Sequence, residues 1–502
     1  MSRRAEDKIG ALKMIGFMIA DQEIDTHSSL LQGASDVAFA QFGDDWHVVV
    51  SAEADSAITV FDFDGTIGTQ RDVQGYSSTS GIRTAWNLTL AQVDGQTVII
   101  PATRYEDQVR IYEFDGALDG TAPGVGGLGL THAVTLGDDT FVYAADLAGR
   151  GLDAYRLEGD LSMDEVATLS DTAETYLGDV RAMASASVDG TAMLFVASGY
   201  DAGLAAYSIG SNGRLTLGDT VAPGDESGFS RPAALETVTV GGQEFLVMAS
   251  AGSSSLTVFR IATDGTLSEV DHLIDTLDTR FQGASELTSF DYEGRSFVVA
   301  AGSDDGISVL ELRDGGRFWD YGALADTYET TLDNVSGLDA RVIDGTPTIL
   351  VSSDTDHGIT QVELDMAGLE DVISGSEGNE LLRGTSSADV IEGKGGNDRL
   401  EGRGGSDILV DGTGADMLTG DGGQDLFQFV ADDNLDIITD YSVGYDRIDL
   451  SGYGGVRSIF DLVMYETCGS VMIEVGGDRI LIQGSEDDPY AVADFTGSDF
   501  LF

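Results

Sequence analysis

A chain of 502 residues has room for two or more domains and an ample core. Its 87 acids against 26 bases leave a net charge of −61, which excludes nucleic-acid phosphates and anionic membranes as natural partners and favours cations; adaptation to a salty environment also accounts for such acidity. A single cysteine excludes an intrachain disulfide, and no apolar run reaches the roughly eighteen residues of a membrane-spanning helix.

At the N-terminus, Arg3, Arg4 and Lys8 precede an apolar run at Met14–Ala20. Glu6 and Asp7 interrupt the basic region and the run is short for a secretory leader, so a β-strand is the better reading. From Gln32 to Asp365 the chain repeats a longer pattern: an apolar strand, a short polar turn, and a second strand ending in an aromatic or aliphatic residue. Anchored on Phe61, Tyr112, Tyr155, Tyr207, Phe259, Leu310 and Val362, the copies are spaced by 51, 43, 52, 52, 51 and 52 residues. Turns such as Val-Asp-Gly at 93–95 and 188–190 precede each copy, and Phe-Asp-Gly at 63–65 and 114–116 follow it. Val, Ile, Phe and Tyr alternate with polar residues, so the elements are strands. Four short antiparallel strands in about 50 residues match one β-propeller blade, and seven copies predict seven blades.

Residues 23–39 and 273–290 share Ile-Asp-Thr and Gln-Gly-Ala-Ser, and the seventh copy has no clear fourth strand of its own. Met14–Ile24 is therefore predicted to supply it, closing the ring and covering an edge. The array resembles propellers of the WD-repeat, lactonase-like and surface-antigen types in architecture alone. In such folds the second-to-third and fourth-to-first connections share one face, the expected binding face. Here it carries Glu53, Asp55, Glu106, Asp107, Asp146, Asp201, Asp304, Asp305, Asp354 and Asp356, read either as polar turns or as a cation site at the ring centre. Arg83, Arg181 and Arg231 near the axial mouth are read as surface charges or as anion contacts. Of His27, His47, His132, His272 and His357, none pairs at metal-ligand spacing, and His132 on an inner strand is the first to test. The sequence has no G-x-S-x-G elbow, H-E-x-x-H helix or P-loop, and it does not establish an enzyme.

Gly375–Phe427 then reads in six nine-residue units. They begin at Gly375, Gly384, Gly393, Gly402, Asp411 and Gly420, and carry Gly378, Ser387, Gly396, Gly405, Gly414 and Gly423 at the fourth position. An acid holds the sixth position (Glu380, Asp389, Asp398, Asp407, Asp416, Asp425) and a large apolar residue the eighth (Leu382, Ile391, Leu400, Leu409, Leu418, Phe427). Glycines permit turns at φ > 0, the acids add hard oxygens beside backbone carbonyls, and the last three residues form a short strand with its apolar side chain inward. A flexible linker is the competing reading, but linkers do not keep an apolar residue at every ninth position.

The pattern resembles the RTX (haemolysin-type) calcium-binding nonapeptide, which implies a parallel β-roll with Ca2+ between turns two repeats apart. The resemblance pairs Glu380 with Asp398, Asp389 with Asp407, Asp398 with Asp416, and Asp407 with Asp425. It places ligands on these acids and on Gly393, Gly396, Gly402, Gly405, Gly414, Gly420 and Gly423. Residues 429–455 resemble the segment that caps such rolls, at Asp436, Ile438, Asp440, Tyr441, Gly444, Asp446, Ile448, Asp449, Leu450 and Ser451. The closing run, residues 494–502, resembles an uncleaved type I secretion signal. Cys468 falls in a strand-like stretch and is expected to be buried.

The chain is thus predicted to be all-β: a propeller over 1–367, a calcium roll over 368–428 and a cap with secretion signal over 429–502. The expected partners are calcium ions, the type I secretion machinery and an extracellular glycan, protein or small molecule on the propeller, with no nucleic acid and no membrane span. The expected function is that of a secreted calcium-binding protein whose propeller is a recognition or surface module. The alternative is a secreted propeller hydrolase, a metal-dependent lactonase or phosphoesterase.

Overall fold

The computed structural model describes residues 15–501 apart from 27, 76–84, 104–109, 124–127, 147–150, 173, 223–227, 278, 314, 328–329, 370–371, 451–452, 454–455, 457 and 485–488. His27, Arg83, Glu106, Asp107 and Ser451 lie outside the described residues. Two compact units divide between Asp365 and Met366.

The first unit is a seven-bladed propeller, each blade a four-stranded antiparallel sheet. Blades 1 to 6 occupy residues 34–75, 85–123, 128–170, 180–221, 232–274 and 286–325. Blade 7 takes three strands from 335–365, and its fourth is Gly16–Ile24, antiparallel to Gly358–Asp365. The first strands pack on one another around the ring, and that of blade 7 meets that of blade 1. Second strands read as continuous apolar runs because neighbouring blades cover both faces: Val48, Val49 and Val50 are fully buried, as are Phe297, Val298 and Val299. Fourth strands lie outermost and are the most exposed, as in Met163–Ser170, where Asp164, Glu165, Thr168 and Ser170 are exposed and no residue is fully buried.

The repeat anchors have a structural meaning. Register shifts at Phe61, Tyr155, Tyr207, Phe259 and Leu310 break the pairing of third and fourth strands, marking a bulge at the anchor in these five blades. Near the bulge the fourth strand turns an acid toward the next blade: Asp72 accepts the Leu118 N–H at 3.0 Å, Asp219 that of Leu267 at 2.8 Å, and Asp271 that of Phe318 at 2.8 Å. At the closing seam Gln361 does this work, accepting from Ile67 N–H and donating to the Gly65 carbonyl. Leu350 and Ile359 join Phe39, Val48, Val50 and Phe61 in one core there.

The second unit is a parallel β-roll whose sheets continue into the C-terminal strands. Nonapeptide strands alternate between two sheets, so each pairs with the strand two units away: Val372 with Val390, Leu382 with Leu400, Ile391 with Leu409. Ile391, Leu400, Leu409, Leu418 and Phe427 are fully buried and form an inner ladder. Both sheets run across residue 428 without a break, one through Leu435–Ile438 to Asp478–Ile482, the other through Arg447–Asp449 to Phe500–Leu501. Cys468 departs from expectation. It is exposed, because Cys468 (φ 50°) and Gly469 (φ 82°) form the two-residue turn between Val463–Thr467 and Ser470–Val475.

Candidate metal sites and an acidic axial cavity

Each nonapeptide places its acid at the base of a turn, immediately before the strand. Asp389, Asp398, Asp407, Asp416 and Asp425 are all buried, at 1–4% exposure, while Glu380 at the open end is half-buried. From Asp398 onward, one carboxylate oxygen of each acid accepts the backbone N–H of the acid two units earlier. Glu380 N–H donates to Asp398 Oδ1 at 2.8 Å, Asp389 to Asp407 at 2.8 Å, Asp398 to Asp416 at 2.6 Å and Asp407 to Asp425 at 2.9 Å. The row continues past the nonapeptides, with Asp416 N–H on Asp436 and Asp425 N–H on Asp446.

The glycines act in two ways. Gly396, Gly405 and Gly414 have φ of 110°, 118° and 133°, as the turn requires. Gly393, Gly402 and Gly420 are not left-handed and are needed for space: a Cβ there would overlap the Asp411 carbonyl, Asp407 Oδ2 and Asp425 Oδ2 respectively. Gly423 likewise has no room beside the Gly405 carbonyl.

Asp398 Oδ2 and Asp416 Oδ2 are buried without a hydrogen-bond partner. Burial pushes Asp398 above the usual carboxylate range, Asp416 up to about 6 and Asp425 up to about 7, and neighbouring acids add to each shift. Glu380 differs: hydrogen bonds from Ser376 hold it below the ordinary range. Orphaned, desolvated carboxylate oxygens beside backbone carbonyls are a donor set that fits Ca2+, which takes hard oxygens in a tolerant geometry.

Residues 374–409 and 401–434 match the model of the RTX calcium-binding nonapeptide repeat. These are RTX repeats. The RTX roll carries calcium-binding sequence on a parallel solenoid, in the same chain as a seven-bladed propeller. No curated protein matches the chain. Among solved structures, the Dos1 propeller is similar at 9% identity and TM-score 0.42, over 63% of this chain and 75% of that one. A functionally unknown protein from Desulfotomaculum acetoxidans DSM 771 is similar at 13% identity and TM-score 0.43, over 61% and 94%. No helix among the described residues is long and apolar enough to cross a membrane.

The propeller encloses a cavity of about 990 Å³ along its axis, lined by the first strands and by the connections expected to form the binding face. Four acids on its wall escaped the sequence reading: Asp36, Glu236, Glu286 and Asp339, from blades 1, 5, 6 and 7. Asp36 accepts the Leu88 N–H at 2.7 Å, Asp339 the Phe39 N–H at 2.7 Å and Glu236 the Ser289 hydroxyl at 2.6 Å, so each also links two blades. Arg341 reaches Asp339 at 3.5 Å. The Glu286 carboxylate makes no hydrogen bond among the described residues. The enclosing protein desolvates them, pushing Asp36 and Glu236 up to about 7 and Glu286 well above the usual range, where the Asp36 charge adds to the effect.

The turn acids do other work. Asp55 accepts the Gln32 N–H, Asp201 that of Gly178, Asp304 that of Gln282 and Asp356 that of Asp333, each tying a hairpin tip to the chain entering its own blade. Asp305 takes the Asn334 N–H, while Glu53 and Asp354 stand at the cavity mouth and Asp146 ends its strand. Arg181 lies at the mouth in an exposed ion pair with Asp179, and Arg231 sits in a left-handed turn away from the cavity lining. His132 does line the cavity, 2.9 Å from Ser185 Oγ, with burial lowering its pKa to about 4. His47 packs edge-on against Phe114, His272 bonds Thr257, and His357 accepts the Gly33 N–H at the ring seam.

Proposed function

We propose that the chain is a secreted, calcium-binding protein of the RTX type, in which the roll folds on calcium after type I export and the propeller recognises an extracellular ligand. The observation that carries this reading is the row of buried sixth-position aspartates, in which Asp398 Oδ2 and Asp416 Oδ2 have no hydrogen-bond partner. Like charges stacked at this spacing oppose folding while the row is bare. Calcium, when bound, supplies the compensating charge and takes up the orphaned oxygens. Glu380, Asp389, Asp398, Asp407, Asp416 and Asp425 hold it, and Gly393, Gly396, Gly402, Gly405, Gly414, Gly420 and Gly423 give the close backbone approach.

Low cytoplasmic calcium then leaves the C-terminal region unfolded for export. The terminal strand Phe500–Leu501 pairs with Ile448–Asp449 in the folded unit, and Phe500 is buried. Reading of this segment by an exporter therefore precedes folding. Hydrogen exchange of the full chain, in calcium and in chelator, tests the reading: protection over 372–501 should collapse in chelator while 15–365 keeps its own. Equal protection of the roll in both conditions refutes it.

On the propeller, the axial acids, among them the Glu286 carboxylate, suit a ligand presenting a cationic or hydrogen-bond-donating group. The same acids support the second reading, a metal-dependent lactonase or phosphoesterase acting at the axis. Turnover of lactones or phosphoesters by the full chain, lost in Glu286→Gln, would favour hydrolysis. Binding without turnover favours recognition.

A further inference from the structure

We propose that Asp411, Asp416 and Asp436 form an additional calcium site, built by this chain where the RTX roll passes into its C-terminal strands. The proposal rests on the reading of the roll as a calcium-binding unit, and it concerns a residue that departs from the repeat. Asp411 stands at the first position of the fifth unit, where every other unit has glycine. Its carboxylate turns inward and is 1% exposed; Oδ1 accepts the Gly412 N–H at 2.6 Å and the Val430 N–H at 2.9 Å. Asp416 comes from the same unit, and Asp436 from the strand Leu435–Ile438 beyond the repeats.

One carboxylate oxygen from each of the three lies within 4.8 Å of the others, the spread allowed to oxygens sharing one ion at about 2.4 Å. A further observation points to a ligand. Asp416 Oδ2 is buried with no hydrogen-bond partner. No Lys or Arg among the described residues pairs with any of the three acids, so their charges are buried together without a counter-charge from the protein. Three carboxylates around one point in a dry core are strongly unfavourable unless a cation joins them. The loop at 430–434 is wrapped around the site: Gly414 N–H donates to Asp432, and Asp432 N–H donates to Asp478 at 3.1 Å. A cation there fastens the last nonapeptides to the strands that close the roll.

Calcium titration of the calcium-depleted full chain by calorimetry, with far-UV circular dichroism as the folding check, tests this. Asp411→Asn and Asp436→Asn should each lose one calcium per chain, or weaken one site at least tenfold, while the remaining sites still fill. Asp411→Gly, which restores the residue the repeat itself prefers, should behave in the same way and keeps the test alive if Asp436→Asn fails to fold. Wild-type stoichiometry with affinities changed less than tenfold in both Asp411 variants overturns the site. A wild-type chain that binds no calcium at all would overturn the broader reading as well, so the two failures are distinguishable.

Discussion

Left-handed backbone in the roll falls on residues that resist it. Lys394, Arg403 and Asp421 take φ of 66°, 79° and 63° at the second position of their units, where Gly412 takes 87° without penalty. Arg403→Gly should therefore stabilise the roll by about 0.5–1 kcal/mol, net of the extra chain entropy of glycine, as read from calcium-saturated denaturant melts. Gly414→Ala should act in the opposite direction and more strongly, since its Cβ would overlap the Gly396 carbonyl. In the propeller, Glu236 is held near 7 by burial, against an ordinary value of 4.5. The unfolded chain releases this proton as pH rises from about 4 to 7 while the folded chain keeps it. The folded state then binds more protons, so stability falls through that window and levels off above it. Glu236→Gln should remove part of this slope and raise stability at pH 8 relative to pH 5 by roughly 1–3 kcal/mol, measured by urea melts at both values.

Elements are held by recurrent polar devices as well as by apolar packing. In four connections an Asp-Thr-x-x-Ser/Thr run turns the chain between blades: Asp25, Asp171, Asp275 and Asp326 accept the N–H of Leu31, Leu177, Phe281 and Leu332, which are all fully buried. The sequence comparison of 23–39 with 273–290 met two of these. The others were legible only as Asp-Thr followed by Ser or Thr at a fixed offset, without the Gln-Gly-Ala-Ser that made the first pair conspicuous. Blade 6 carries a different device. Glu311, 3% exposed, accepts from Arg295 at 2.7 Å and from Arg313 at 2.9 Å, with the Tyr321 hydroxyl closing the group and Arg313 stacked 4.6 Å over Trp319. Glu311→Ala strands two guanidinium groups in the core and should cost about 3–5 kcal/mol of propeller stability in calorimetric or denaturant unfolding.

At the scale of the molecule, ring closure depends on a strand from the far end of the propeller unit. Without residues 1–24, blade 7 presents the strand Gly358–Asp365 as an open edge. Such a chain should lose cooperative unfolding of the propeller and self-associate, which size-exclusion chromatography with light scattering would detect. A monomer with a wild-type melting profile would show that the seam at Gln361 and Leu350 suffices. Periodicity made most of this architecture readable from residues alone. A spacing near 51 residues and a nine-residue frame each report contacts between successive units, and a repeat makes the same contacts again and again. The shared Ile-Asp-Thr and Gln-Gly-Ala-Ser even carried the closing strand.

What the sequence by itself determined, then, was the two arrays, their order and the calcium chemistry of the second, because each is a local rule repeated. Tertiary structure alone decided the places where the rule is broken or where distant units converge. Asp36 and Glu286 each follow Gln-Gly-Ala-Ser, and Glu236 and Asp339 share a later position in their first strands, but the four meet only when the ring closes on its axis. Asp411 reads in sequence as a lapse from glycine. It becomes part of a carboxylate cluster only when Asp436 and Tyr453, from beyond the repeats, are folded against it, because closing the roll removes water from all three at once.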